Sequence, residues 1–294
     1  VVRGKGCLST IIANMSEKTP VLDGHEFLLQ PEVVFEDQDL LVLNKPAGLV
    51  VNRASSVKQV TLQDWIDQYF AKNPDWEKGR GEDEVFAQRS GMIHRLDKDT
   101  SGLILFAKRP EVMYQMMEQF QARTVQKTYL ALAHEHFSDP EGIIEVGIRR
   151  HPQDRERFSV SSEGRPSKTH YRVQREFSGI DIKKLQEDLF SQGKDAKGIH
   201  QLSRIYQGFS LVELQPKTGR THQIRVHLQF LHHPIVGDER YVGRKRYRID
   251  QFWCPRQWLH AWKIAFSYPA GGPPREYVAP IAADLEKSLQ FLTD

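Results

Sequence analysis

Strand-like segments that follow one another without a regular strand–helix alternation predict an α+β fold, a mixed, largely antiparallel sheet core flanked by helices. Helical periodicity appears only in separate windows, at Leu62, Trp65, Ile66 and Tyr69, and again at Met113, Met116, Met117 and Phe120. With 294 residues, 39% hydrophobic and 27% charged, the chain can bury a real core. No apolar run approaches the ~20 residues of a membrane-spanning helix. No Gly-rich phosphate loop opens a helix, which argues against nucleotide hydrolysis and dinucleotide chemistry. The 41 basic and 38 acidic residues leave a net charge of +3, too mild to announce a nucleic-acid binder by itself. Two cysteines, Cys7 and Cys254, exclude a disulfide framework and a Cys-rich zinc site, and they suit a reducing cytoplasm.

In chain order, residues 1–30 are expected to be a tail outside the domain, disordered or foreign to it. The apolar stretch Cys7–Ala13 is too short for a secretory signal. The domain is expected to span 31–294. Val33-Val34-Phe35, a turn at Glu36–Asp39 and Leu40–Leu43 predict a hairpin running into the Pro/Gly loop Lys45–Gly48. Thr61 is placed to cap the first helix. Residues 71–90 are charged and glycine-containing and are expected to form a surface excursion. Leu103–Ala107 is a short buried strand, and the Met/Phe stripe after it is core packing. Tyr129–Ala133, Ile143–Ile148, Thr169–Val173, Phe209–Leu214 and Leu259–Phe266 are further strands. The polar segment 178–208 is expected to be an insertion with one short helix, and Leu285, Leu289 and Leu292 mark a C-terminal helix.

Chemistry-bearing residues concentrate in two places. Gly91–Gly102 packs His94, Arg95, Asp97, Lys98, Asp99, Thr100 and Ser101 into one loop before a buried strand, a setting that often carries function. A polar turn in which Asp97 or Asp99 caps its own backbone would show the same composition. The second cluster, Lys217–His227, follows a strand and fits helical periodicity (Ile224, Leu228, Leu231) as well as alternation (Ile224, Val226, Leu228, Phe230). His134-Glu135-His136 and His232-His233 show no convincing metal-ligand spacing.

Together the clusters resemble a known family. His94-Arg95-Leu96-Asp97-Lys98-Asp99-Thr100-Ser101-Gly102-Leu103 is similar to the signature of RluA-type RNA pseudouridine synthases, and residues 218–227 resemble its second motif, in the same order and spacing. Asn44–Gly48, Lys127–Ala131, His233–Asp238 and Leu259-His260-Ala261 resemble further landmarks, so that the likeness runs roughly from 33 to 292. It implies the pseudouridine synthase catalytic fold and isomerisation of uridine in RNA without a metal or organic cofactor. It places the essential carboxylate at Asp97, a cation beside it at Arg225 and the active-site tyrosine at Tyr129. A carboxylate acting on a ribose must stay ionised while partly desolvated, so a neighbouring cation is physically required. Ile224 and Leu259 would wall the uracil pocket. Arg95 would fill the stack vacated by a flipped base. His94, Thr100 and Arg220 would shape the site or touch the RNA. Arg149, Arg150, Arg155, Arg157, Arg165 and Lys168 form a candidate backbone-binding strip.

The expected partner is RNA, with large-subunit ribosomal RNA favoured over transfer RNA. The protein is expected to act as a cytoplasmic monomer without a membrane. Many members of the family carry an N-terminal RNA-binding module, and the short stretch before the core cannot hold one, so the chain is expected either to lack the module or to be cut short of it. A non-catalytic RNA chaperone would not need Asp97, Tyr129 and Arg225 together. A nucleoside or glycoside hydrolase would more naturally show a second working carboxylate, for which Asp99 is the nearby candidate.

Overall fold

The carboxylate of Asp37 accepts the backbone N–H groups of Asp39 and Leu40 at 2.9 and 2.8 Å, which turns the chain where the sequence predicts a hairpin. The computed structural model describes residues 21–22, 25–26, 29–55, 57–71, 73–195, 199 and 206–294. Most of the expected N-terminal tail lies outside them. A short antiparallel pair, β1 (Val21–Leu22) and β2 (His25–Glu26), precedes the hairpin of β3 (Glu32–Glu36) and β4 (Leu40–Lys45). Thr61 and Asp64 form a reciprocal capping box at the start of α1 (Leu62–Phe70).

The stretch 71–90 departs from its expected role as a surface excursion. It folds into α2 (Pro74–Glu82) and α3 (Glu84–Arg89). Trp76 and Phe86 are buried and meet ring to ring, and Trp76 packs on Phe70. Two large aromatics ten residues apart leave no periodic trace among so many charges, yet together they bury enough apolar surface to dock both helices.

The chain continues through β5 (Ser101–Ala107), buried along its whole length, and α4 (Pro110–Ala122), whose Met113 and Met116 are fully buried. Then come β6 (Gln126–His134), β7 (Glu141–Arg150), β8 (Phe158–Val160), β9 (Arg165–Phe177) and β10 (Gly179–Ile180). The polar segment after residue 178 does contain a helix, α5 (Ile182–Ser191), anchored by buried Leu185 and Leu189; residues 196–198 and 200–205 of that segment lie outside the described residues. The last elements are β11 (Phe209–Pro216), α6 (Gln223–Phe230), α7 (Arg244–Asp250), β12 (Leu259–Ser267), β13 (Pro274–Val278), α8 (Ala283–Leu289) and β14 (Leu292–Thr293). Leu292, expected in the C-terminal helix, instead sits in β14, which pairs with β10. Residues 223–228 are all buried, so α6 is embedded on every side and no polar face marks its period.

The main sheet runs β3-β4-β5-β12-β6-β11-β9-β7-β8, with β13 on the second half of β12. Every pairing is antiparallel except β5 with β12. One hydrophobic core gathers β4 and β5 with α1, α3 and α4, and a second gathers β6 and β11 with α5, α6 and α7. Tyr129 packs against both.

Candidate active site

Two glycines fix the loop that carries Asp97. Gly91 has φ +69°, and a Cβ there would lie 2.0 Å from the Ala107 carbonyl oxygen; at Gly102, with φ +111°, it would lie 2.3 Å from that of Ala261. Between them the carbonyls of the loop are pinned from outside. The Lys45 ammonium donates to the carbonyls of Pro46, Leu49 and Lys98 at 2.7, 3.0 and 2.9 Å, and Gly48 N–H donates to Lys98 as well. All three ammonium protons are thereby used, although burial, with Arg256 nearby, pushes Lys45 down to about 7 against the pull of Asp99 and Asp97. Arg256 donates to the Asp99 carbonyl at 2.9 Å and is itself held by Asp284. The Asp97 carbonyl closes a turn with the Thr100 N–H, and the Asp97 side chain is left 24% exposed.

The second cluster supplies the partner. Buried Gln223 satisfies its whole amide: its oxygen accepts from Thr218 Oγ1 and the Arg220 N–H, and its nitrogen donates to the Lys168 carbonyl and Thr169 Oγ1. This ties the 218–222 loop to β9 and sets where α6 starts. Two residues along, Arg225 donates through Nε and Nη2 to the two oxygens of Asp238 at 2.7 and 2.8 Å, and through Nη1 to Asp97 at 3.2 Å. Its guanidinium also lies over the Tyr241 ring, 5.0 Å from the centroid. Burial by itself would lower the Arg225 pKa, but Asp238 and, more weakly, Asp97 raise it above its ordinary value. The cation is therefore permanent and its plane is fixed.

His222, at φ +55° before α6, stands between these groups. The Tyr241 hydroxyl accepts the Phe158 N–H at 2.9 Å and lies 2.8 Å from His222 Nδ1. Burial pushes His222 down to about 4 against the pull of Asp97. With Nδ1 accepting the Tyr241 proton, the neutral ring leaves its Nε2 N–H facing Asp97 at 3.9 Å.

These groups open onto one cavity of about 540 Å³, in the range of small-molecule and nucleoside sites, which brings together all nine residues singled out in the sequence. Asp97, Arg225, Tyr129, Ile224 and Leu259 line it, as do His94, Arg95, Thr100 and Arg220. Burial, with the nearby Asp97 charge, raises the Tyr129 phenol above its ordinary value, so it is neutral at pH 7. His94 accepts the Leu105 N–H at 3.0 Å and stacks on Phe120 at 4.8 Å; burial and Lys127 push it down to about 3. Thr100 is buried and accepts from Gln257, so it braces the loop. Arg95 is exposed and makes no hydrogen bond or ion pair among the described residues. Arg220 donates to the Pro166 carbonyl at 3.2 Å.

The candidate basic strip is less free than its sequence suggests. Arg149 pairs with Glu163 and Lys168 with Glu145, while Arg150 and Arg157 lie over the Phe158 and Tyr241 rings. Sequence reasoning missed Asp238 and Tyr241, which hold Arg225, and the second face of Phe120, which packs against the core as expected and also lines the cavity. Asp238 stood inside a noted landmark, but nothing in its spacing pointed to Arg225. Among the described residues no three His, Cys, Asp or Glu side chains gather as a metal ion would require, and no helix is long and apolar enough to cross a membrane.

A family model described as RNA pseudouridylate synthase matches residues 39–230. A Chloroflexus aurantiacus protein described as an uncharacterized RNA pseudouridine synthase is 38% identical over 252 residues, covering 85% of this chain and 66% of its own length. The ribosomal large subunit pseudouridine synthase D of Nitrosomonas europaea is 32% identical over 265 residues, covering 89% of this chain and 65% of its own. The chain thus spans just under two thirds of the length of both relatives. Among solved structures, human RNA pseudouridylate synthase domain containing 1 superposes with a TM-score of 0.59 at 25% identity, over 85% of this chain and 83% of its own. The family-model match over residues 39–230, with these likenesses in sequence and fold, shows that the chain belongs to the RNA pseudouridylate synthase family.

Proposed function

We propose that this chain isomerises uridine to pseudouridine in structured RNA, and that large-subunit ribosomal RNA is its substrate class. The observation that carries the proposal is the ion pair of Asp97 with Arg225 at the wall of a uridine-sized cavity that Tyr129 also lines. In the reaction the N1–C1′ bond breaks, the uracil turns, C5 bonds to C1′, C5 gives up its proton and N1 gains one. Nothing is oxidised or reduced. Asp97 acts on the sugar, by attack on C1′ or by removing a sugar proton, and both routes start from a carboxylate aimed by Arg225. Ile224 and Leu259 give the uracil an apolar slot in which to turn. Tyr129 enters as a neutral phenol, so it moves the C5 proton only by handing its own on.

A uridine in a folded RNA must leave its stack to reach Asp97, and Arg95, exposed and without a side-chain partner among the described residues, would replace it. The ribosomal substrate is supported by the name of the Nitrosomonas europaea relative, and a cytoplasmic setting follows from such a substrate. The test is tritium release from 5-tritiated uridine in ribosomal RNA fragments. Asp97→Asn is expected to lose at least about 10³-fold in rate with its circular dichroism unchanged, because the amide cannot attack or take a proton. Near-normal release by the folded variant would overturn the assignment.

A further inference from the structure

Part of the cavity wall holds positive charge that no carboxylate among the described residues pairs with. Lys127 and Tyr129 lie two residues apart on β6, so alternation puts them on one face, about 6.6 Å apart, and both line the cavity. Lys127 is half-buried and its ammonium lies 5.6 Å from the centre of the Phe120 ring. Lys217, from the end of β11, lines the same wall; its only ammonium contact among the described residues is a 3.5 Å approach to Gln215 Oε1. No carboxylate pairs with either lysine among the described residues. Burial, together with the charge of Lys217, pushes Lys127 down to about 8.

Arg123 and Arg220 line the same cavity. Both arginines have structural work: Arg123 ends α4 in a left-handed conformation, and Arg220 donates to the Pro166 carbonyl. Burial and the charges of Arg165 and Arg123 lower the Arg220 pKa, and no anion is among its perturbers. Four cations thus line one cavity, and beyond the Phe120 ring beside Lys127 and the long Gln215 contact of Lys217 nothing among the described residues offsets the repulsion of the two lysines. An anion delivered from outside would offset it.

We infer that Lys127 and Lys217 form a cradle for one phosphodiester of the substrate strand, the linkage immediately 5′ or 3′ of the uridine that enters the cavity, with Arg123 and Arg220 guiding the neighbouring backbone. This rests on the proposed function and deepens it: the chain recognises the target nucleotide through its own backbone phosphate as well as through its base. One strand therefore presents both the group that faces the uracil, Tyr129, and the group that fixes its phosphate. The spacing is short enough for both to engage a single nucleotide.

The test is a thermodynamic cycle between protein and RNA. The probe is the large-subunit ribosomal RNA stem-loop that wild-type protein isomerises fastest or, if it isomerises none, the one it binds most tightly. Methylphosphonate replaces the 5′ or the 3′ linkage of the uridine that carbodiimide mapping identifies, or of each loop uridine in turn. One neutralised linkage is expected to weaken wild-type binding about tenfold, the size of a charge-assisted hydrogen bond. Lys127→Met and Lys217→Met, which keep the aliphatic stems, are expected to lose a similar factor on unmodified RNA and almost nothing more on that methylphosphonate. Each is also expected to flatten the slope of log K against log salt by about 0.7–0.9. Arg175→Met is the control, since Arg175 is paired with Asp294 away from the cavity, and its slope should match wild type. Losses that multiply independently at every linkage would overturn the cradle while leaving isomerisation standing. Non-additive losses in a protein that isomerises no RNA would keep the cradle and refute the isomerase assignment.

Discussion

On one wall of the cavity Asp97 meets Arg225, and Arg225 is clamped by both oxygens of Asp238 under the Tyr241 ring. On the other wall Lys127 and Lys217 confront each other with no carboxylate between them among the described residues. The first arrangement is costly to desolvate but geometrically rigid, which is what a group acting on a particular sugar atom needs. The second leaves a positive potential to be satisfied by something that arrives. The 149–168 strip resembles neither, because most of its cations are exposed and two of the six are already matched by Glu163 and Glu145.

The paired wall is the place where one substitution should do the most harm. Asp238→Asn leaves the Arg225 guanidinium short of its charge partner in a buried site, which is expected to cost about 3–5 kcal/mol of stability. The misaimed cation should also slow single-turnover isomerisation about 10²-fold in the protein that remains folded. Urea unfolding and rapid-quench rates measure the two separately. An unchanged rate would show that Tyr241 and Asp97 hold the guanidinium without Asp238.

Arg95 is an exposed cation of the 91–102 loop and should behave differently. Arg95→Ala is expected to slow turnover about tenfold or more on a stem-loop, in keeping with ~1–3 kcal/mol for one base-stacking contact, and much less on an unstructured oligonucleotide with the same uridine. Arg95→Lys should recover only part, since an ammonium has no planar surface to stack. Equal losses on both RNAs would mean that Arg95 only holds the loop.

Acid should expose the buried histidines, of which His94 and His222 line the cavity. Burial pushes His94 down to about 3 and His222, His227 and His260 down to about 4, from an unfolded value near 6.5. Below that unfolded value the unfolded chain takes up protons that the folded chain refuses, so stability is complete above pH 6.5 and falls as the pH drops toward 4. The urea midpoint should decline from pH 7 to pH 5. In proton NMR His94, beside Lys127, should titrate below His222, beside Asp97; the reverse order would break the electrostatic contrast between the walls. The smallest effect belongs to the strip. Arg149→Met, which removes an already paired surface cation, is expected to change RNA affinity by less than about twofold in a filter-binding assay.

The sequence alone determined the elements whose signal is local: the Asp37 hairpin, the Thr61 cap, the buried strand after Gly102 and the largely antiparallel class. It also singled out nine of the residues that line the cavity, because the two motifs are contiguous stretches and their resemblance to a family is strong. Only the tertiary structure decided that α6 is a helix, since burial on all sides erased the polar face that would have set its period. It alone showed that Trp76 and Phe86 draw a charged stretch into the core, and that Asp238, thirteen residues after Arg225, returns to clamp it. The opposition of Lys127 to Lys217 likewise exists only once β6 and β11 lie side by side. Capping and alternation act between neighbours in the chain, whereas burial and charge pairing act between neighbours in space, and the second kind of neighbour is written nowhere in the spacing of residues.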